Sequence, residues 1–105
     1  QEVGDAGATA LAASPHAARL RLLCFFACKV GPAGAAALAG SPHLSGLRDL
    51  TLNACPVGAD GARAVLESPT LAGLELLDLR GSFPKAKHKP LVAALRERFG
   101  GGLEV

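Results

Sequence analysis

The sequence predicts an α/β fold built by repetition, a solenoid bent into a horseshoe arc. A parallel β-sheet lines its concave side and helices form its convex side. Two series of residues predict it. Leu20-Arg21-Leu22-Leu23-Cys24-Phe25, Leu47-Arg48-Asp49-Leu50-Thr51-Leu52 and Leu74-Glu75-Leu76-Leu77-Asp78-Leu79 follow one another at a constant step of 27 residues. A Gly-rich block ending in Ser-Pro recurs at the same step, over residues 4–15, 31–42 and 58–69. Periods of roughly 20–50 residues signal stacked units that cannot bury an apolar face alone.

Each Leu-rich copy reads as a strand. Alternation turns Leu20, Leu23, Phe25 and their counterparts inward and leaves the residues between them outward. Each Gly-rich block reads as a helix of about nine residues. Gly4, Gly31 or Gly58 serves as its N-cap, and Pro32 fits the first turn, where no N–H is needed. Asp5 and Asp60 sit in the first turn, where the helix dipole favours negative charge. The Ser-Pro pairs end the helices, because a residue before Pro avoids the α region. Gly7, Gly34 and Gly61, with Ala10, Ala37 and Ala64, leave room for close approach, while Leu11, Leu38 and Val65 anchor helix to sheet.

Two spacings then set the curvature. Parallel strands lie about 4.7–4.9 Å apart, whereas packed helices need about 8–10 Å. One strand and one helix per unit cannot stack straight under both. The repeats run over residues 1–30, 31–57 and 58–84, followed by a C-terminal cap over 85–105. In that cap, Pro84 to Pro90 is a polar linker. Pro90 starts an amphipathic helix with Leu91, Val92, Leu95 and Phe99 on one face, and Arg96, Glu97 and Arg98 toward water. Gly100 follows the helix as its C′ residue, and Leu103-Glu104-Val105 forms a last strand. All 105 residues read as one domain. Val3 aligns with Val30 with no strand ahead of it, and a solenoid needs capped ends; the reading is therefore a piece of a longer chain.

The L-x-x-L-x-L-x-x-C-x-V pattern of Leu47 to Val57 resembles the leucine-rich repeat, and the pairing of a strand with a true helix is similar to its ribonuclease-inhibitor-like type. The Gly-Asp-Ala-Gly and Ser-Pro-His flavour also resembles Ala-rich, bacterial-like leucine-rich repeats. The resemblance implies a protein-binding scaffold. It does not carry over the inhibition of ribonuclease, because fold alone does not transfer function.

Composition narrows the classes. Half the residues are hydrophobic, and mean hydropathy is +0.31, enough for a packed core. No apolar run approaches the roughly 18 residues of a membrane span. Net charge is +2, split into −2 over residues 1–79 and +4 over residues 80–105. Lys85, Lys87, Lys89, Arg96 and Arg98 offer a basic surface to an acidic partner or phosphate, against a cap kept soluble by charge. The absence of interleaved aromatics argues against nucleic acid. An odd count of three cysteines favours a reducing compartment, hence a cytoplasmic location.

No chemistry-bearing motif is present: there is no GxxxxGK[ST], HExxH or GxSxG. Cys28 and Cys55 hold the Asn/Cys position of the repeat, with Ser82 third, and are structural. Cys24 faces outward as a free thiol, with no adjacent base to make it a nucleophile. His16 and His43 share a loop slot and do not form a dyad with it. The expectation is a non-enzyme without catalytic residues, metal, cofactor or small-molecule substrate. Its contact surface is the outward strand face: Leu22, Cys24 and Phe26; Asp49, Thr51 and Asn53; Leu76, Asp78 and Arg80. These nine positions differ between copies while the inward ones barely change. Phe26 is the leading anchor and Arg80 the next, since aromatics and Arg dominate contact hot spots. The alternative is a spacer that supports a neighbouring domain.

Overall fold

A computed structural model of the chain describes residues 4–26 and 28–105. Val3, aligned with Val30, and Ala27, in the first strand copy, lie outside the described residues. Helices and short strands alternate: α1 (Asp5–Ala13), β1 (Leu22–Cys24), α2 (Pro32–Ala39), β2 (Asp49–Thr51), α3 (Gly58–Leu66), β3 (Leu76–Asp78), α4 (Lys89–Phe99) and β4 (Leu103–Glu104). The result is a mixed α/β structure with a four-stranded, wholly parallel sheet in chain order, β1-β2-β3-β4.

The 27-residue step of the sequence is the register of the sheet. Leu23 pairs with Leu50, Leu50 with Leu77, and Leu77 with Leu103. Equivalent hydrogen bonds recur along it: the amides of Phe25, Leu52 and Leu79 donate to Thr51, Asp78 and Glu104 carbonyls at 2.8, 2.8 and 2.7 Å. Neighbouring helices pack in the same order, α1 on α2, α2 on α3 and α3 on α4. The core fills the space between the helices and one sheet face. Leu50, Leu52, Leu77, Leu38 and Val65 are all 0% exposed there, and each such burial contributes roughly 1.5–3 kcal/mol.

The helix starts follow the glycines. Gly4 and Gly31 are extended N-caps of α1 and α2, while α3 begins on Gly58 itself, with Val57 as its N-cap. Gly58 takes a positive φ of 69°, and its amide donates to the Ser82 carbonyl at 2.9 Å. Asp5 acts on the neighbouring helix as well as its own. Its Oδ1 accepts the amides of Gly31 at 2.7 Å and Gly34 at 2.9 Å, so the carboxylate caps α2. Close helix approach is made at Ala8, Ala35 and Ala62, each 0% exposed. The residues expected there, Ala10, Ala37 and Ala64, are exposed or half-buried. Helical rotation explains the difference, since two residues along a helix turn the side chain by about 200°.

Ser14 is the C-cap of α1, whereas α2 and α3 already end at Gly40 and Glu67, one residue before their serines, which bond across units instead. Ser41 Oγ donates to the Ala12 carbonyl at 2.6 Å, and Ser68 Oγ donates to the Ala39 carbonyl at 2.5 Å. Each therefore satisfies an orphan C=O at the end of the preceding helix and ties one unit to the next. Their oxygens also accept local amides, from His43 at 3.1 Å and from Leu71 at 3.2 Å.

The C-terminal segment holds α4 against the stack. Leu91 and Leu95 are buried, Val92 and Phe99 half-buried, and Gly100 takes a positive φ of 61°. The expected polar linker contains a single 3₁₀ turn, Lys85–Lys87. Arg98 departs from expectation. Its guanidinium turns away from water to donate to the carbonyls of Val65, Leu66 and Ser68, closing the C-terminus of α3. Gly102 lets β4 reach β3, because a Cβ there would lie 1.8 Å from the Glu75 carbonyl oxygen.

Candidate interaction face

The sheet face away from the helices carries the outward residues in rows. Leu22, Asp49 and Leu76 form one row, and Cys24, Thr51, Asp78 and Glu104 the next. The same 27-residue step sets Phe26, Asn53 and Arg80 just past the strand ends. Among the described residues, Leu22, Phe26 and Leu76 are the exposed large apolar side chains, at 61%, 65% and 40%. Transfer of such side chains out of water is favourable, so their joint exposure on one short sheet is the strongest sign of a contact surface.

Eight of the nine expected contact residues are exposed or half-buried, and Asp78 is the exception at 6%. Its carboxylate is fully engaged. Oδ1 accepts the Arg80 amide at 3.0 Å and Arg80 Nε at 3.1 Å; Oδ2 accepts Arg80 Nη2 at 3.0 Å and Asn53 Nδ2 at 3.2 Å. Hydrogen bonds from the Arg80 guanidinium outweigh the opposing effect of burial and, with those from the Arg80 amide and Asn53, hold the Asp78 carboxyl below its ordinary range. In return the carboxylate raises Arg80. Asp78 therefore acts as a positioning residue that holds the Arg80 side chain in one orientation on the sheet face. Sequence alternation placed Asp78 and Arg80 on one face but did not reveal that the two side chains pair.

The rim adds an exposed ion pair between Arg48 and Glu75 at 2.5 Å. The electrostatics of the face are thus divided: apolar on β1, polar through β2, and a neutralised Arg–Asp pair beyond β3.

The cysteines occupy two environments. Cys24 is exposed on the sheet face, while Cys28 and Cys55 are buried free thiols. Cys55 Sγ lies 3.3 Å from the Phe25 carbonyl of the preceding unit, and Cys28 Sγ 3.5 Å from that of Phe26. Ser82 Oγ donates to the Leu79 carbonyl at 2.5 Å. A thiol and a hydroxyl both serve as donors in this slot. Desolvation pushes the Cys55 thiol above its ordinary pKa. His16 and His43 present their backbone amides to Ser14 and Ser41 in the loops. Among the described residues, no three His, Cys, Asp or Glu side chains converge on a metal-sized site, and no helix is long and apolar enough to cross a membrane.

Compared with known proteins, the chain matches no family model, no curated protein and no solved structure.

Proposed function

We propose that this chain is a leucine-rich-repeat arc of the ribonuclease-inhibitor-like type that binds another protein through its sheet face. The carrying observation is the exposure of Leu22, Phe26 and Leu76 on a sheet whose opposite face is fully packed. The register supports the repeat reading, since every strand step is 27 residues between β1 and β3. Strand and helix spacings of about 4.8 and 9 Å give such a stack its curvature, with the sheet on the concave side. Recognition works by display: the inward column fixes the strands, and the outward side chains form a preformed surface with little ordering left to do on binding. Phe26 and Leu22 supply apolar anchors, and Arg80, oriented by Asp78, supplies directed donors. The chain acts without catalysis or cofactor. Three free thiols favour a cytoplasmic setting.

Affinity capture with the wild type and with a Phe26→Ala/Arg80→Ala variant of unchanged melting temperature tests the proposal. Loss of the captured partner from the variant is expected. Capture of the same proteins by both would overturn it in favour of a spacer that supports a neighbouring domain.

A further inference from the structure

Apart from the sheet face, α4 presents a second surface. An open groove of about 410 Å³ is lined by Ala86, Lys89, Val92, Ala93 and Arg96. Four of these residues have the 89, 92, 93, 96 spacing that places side chains in one stripe along a helix. The opposite stripe, Leu91 and Leu95, is buried against the rest of the fold. The groove therefore belongs to the outer face of α4, where it is shallow and open to solvent.

We infer that this groove binds an acidic peptide segment of a partner protein, one with a bulky apolar side chain between two carboxylates. Two observations fit that occupant. Ala86 and Ala93 keep the floor low, and Val92 makes it apolar, leaving space for one large aliphatic or aromatic side chain. Lys89 and Arg96 close the two ends as cations, seven residues or roughly 10 Å apart along the helix. Neither meets a carboxylate among the described residues. Glu97 adjoins Arg96 in sequence, but neighbours at i, i+1 do not share a helix face. Two cations of one sign beside an apolar floor thus lack a counter-charge that a partner supplies.

Other macromolecules fit less well. A phosphate backbone would use the cations and leave the apolar floor empty, with no lining ring on which a base could stack. A bilayer surface needs more apolar reach than one Val and two Ala provide. The peptide alone uses every lining residue.

Titration of the ¹⁵N-labelled chain with a synthetic helical peptide provides the test. The peptide carries Glu at positions 1 and 8 and Leu at positions 4 and 5. Amide shifts centred on Ala86, Val92 and Ala93 are expected. Lys89→Glu/Arg96→Glu weakens binding by more than about tenfold, and a peptide with Lys in place of Glu restores it. Ala93→Gln fills the floor, leaves both cations in place and also weakens binding, so a folding defect in one variant does not decide the matter. Both variants change exposed side chains, and unchanged thermal melting verifies their fold. Binding weaker than about 1 mM, shifts that map to the sheet face, or insensitivity to the charge reversal would each overturn the proposal. So would displacement of the peptide from these residues by duplex DNA or phosphatidylglycerol vesicles at lower concentration, which would reassign the groove.

Discussion

One slot of the repeat holds glycine three times, at Gly7, Gly34 and Gly61, yet its surroundings differ each time. Gly7 is exposed, whereas Gly34 and Gly61 are buried against the preceding helix. Alanine at each position therefore separates helix propensity from packing. In a helix interior Gly→Ala gains about 0.5–1 kcal/mol. Gly7→Ala is expected to keep most of that, raising the melting temperature by a few degrees, at about 4–8 °C per kcal/mol for a domain of this size. At Gly34 a Cβ would lie 2.6 Å from Asp5 Oδ1, 3.0 Å from Val30 Cγ1 and 3.2 Å from Ala8 Cβ. The carboxylate must leave, and with it go hydrogen bonds to the Gly31 and Gly34 amides. Bonds to a charged group contribute about 1.5–3 kcal/mol, and the crowding adds about 1 kcal/mol or more. Against the propensity gain, Gly34→Ala is left destabilised by about 1.5–3.5 kcal/mol, a drop of roughly 10–20 °C.

Gly61→Ala falls between the two. Its Cβ meets Val57 Cβ at 2.9 Å and Ala35 Cβ at 3.1 Å, but no carboxylate. Chemical denaturation of the three variants measures the series. Adding Asp5→Ala completes a double-mutant cycle. Once the carboxylate is gone, Gly34→Ala should lose more than half its penalty. A Gly34→Ala variant within about 0.5 kcal/mol of wild type, the ordinary range of an inconsequential change, would refute the cross-helix cap. So would additivity with Asp5→Ala.

Three other outcomes follow from the same geometry. Ala54 has a φ of 57°, a left-handed conformation that Gly81 holds one step later with a φ of 70°; Ala54→Gly should stabilise by about 0.5–1 kcal/mol in thermal melts. In native protein, a disulfide reagent should titrate Cys24 at once and reach Cys28 and Cys55 only at unfolding rates, because burial raises the Cys55 pKa and blocks access. Asp78 has a lowered folded pKa, so its contribution is complete above the ordinary carboxylate pKa of about 4 and is lost as pH falls through the folded value. Asp78→Asn should therefore flatten the acid limb of a stability–pH curve, while leaving the melting of the core otherwise cooperative.

The strand register and the inward columns were legible because repetition supplies its own controls. Leu20, Leu47 and Leu74, or Leu23, Leu50 and Leu77, keep one apolar type at a fixed step, and only a stacked slot requires that. The same logic identified Leu22, Phe26 and Leu76 as outward, since nothing constrains those positions to agree. Contacts between units were not legible. Ser41 and Ser68 read as helix stops, but their hydroxyls bridge 29 residues to Ala12 and Ala39. Asp5 read as a dipole partner for its own helix, while its carboxylate spans 26 residues to the Gly31 amide. Such bonds depend on how far one helix is rotated against its neighbour, which a one-dimensional period does not encode. Arg98 was hidden for the same reason: a charged residue on an amphipathic helix reads as solvated until the neighbouring helix offers unpaired carbonyls.

On the sheet face, strand register alone fixes each side chain, so the positions of Leu22, Phe26 and Leu76 follow from a pattern repeated three times. Arg80 is fixed by a further device, the Asp78 carboxylate, which removes much of the freedom an exposed Arg would otherwise lose on binding. The α4 groove has no such repetition behind it. The last helix departs from the Gly-Ala pattern of the other three and exposes Lys89 and Arg96. A stack of identical units would continue past such a helix; cations on its outer face disfavour a further apolar helix there. The same two cations serve the proposed acidic site, so Lys89→Ala/Arg96→Ala should weaken peptide binding and increase self-association together. Analytical ultracentrifugation of that variant checks the second half. A monomer at every concentration would separate the two roles.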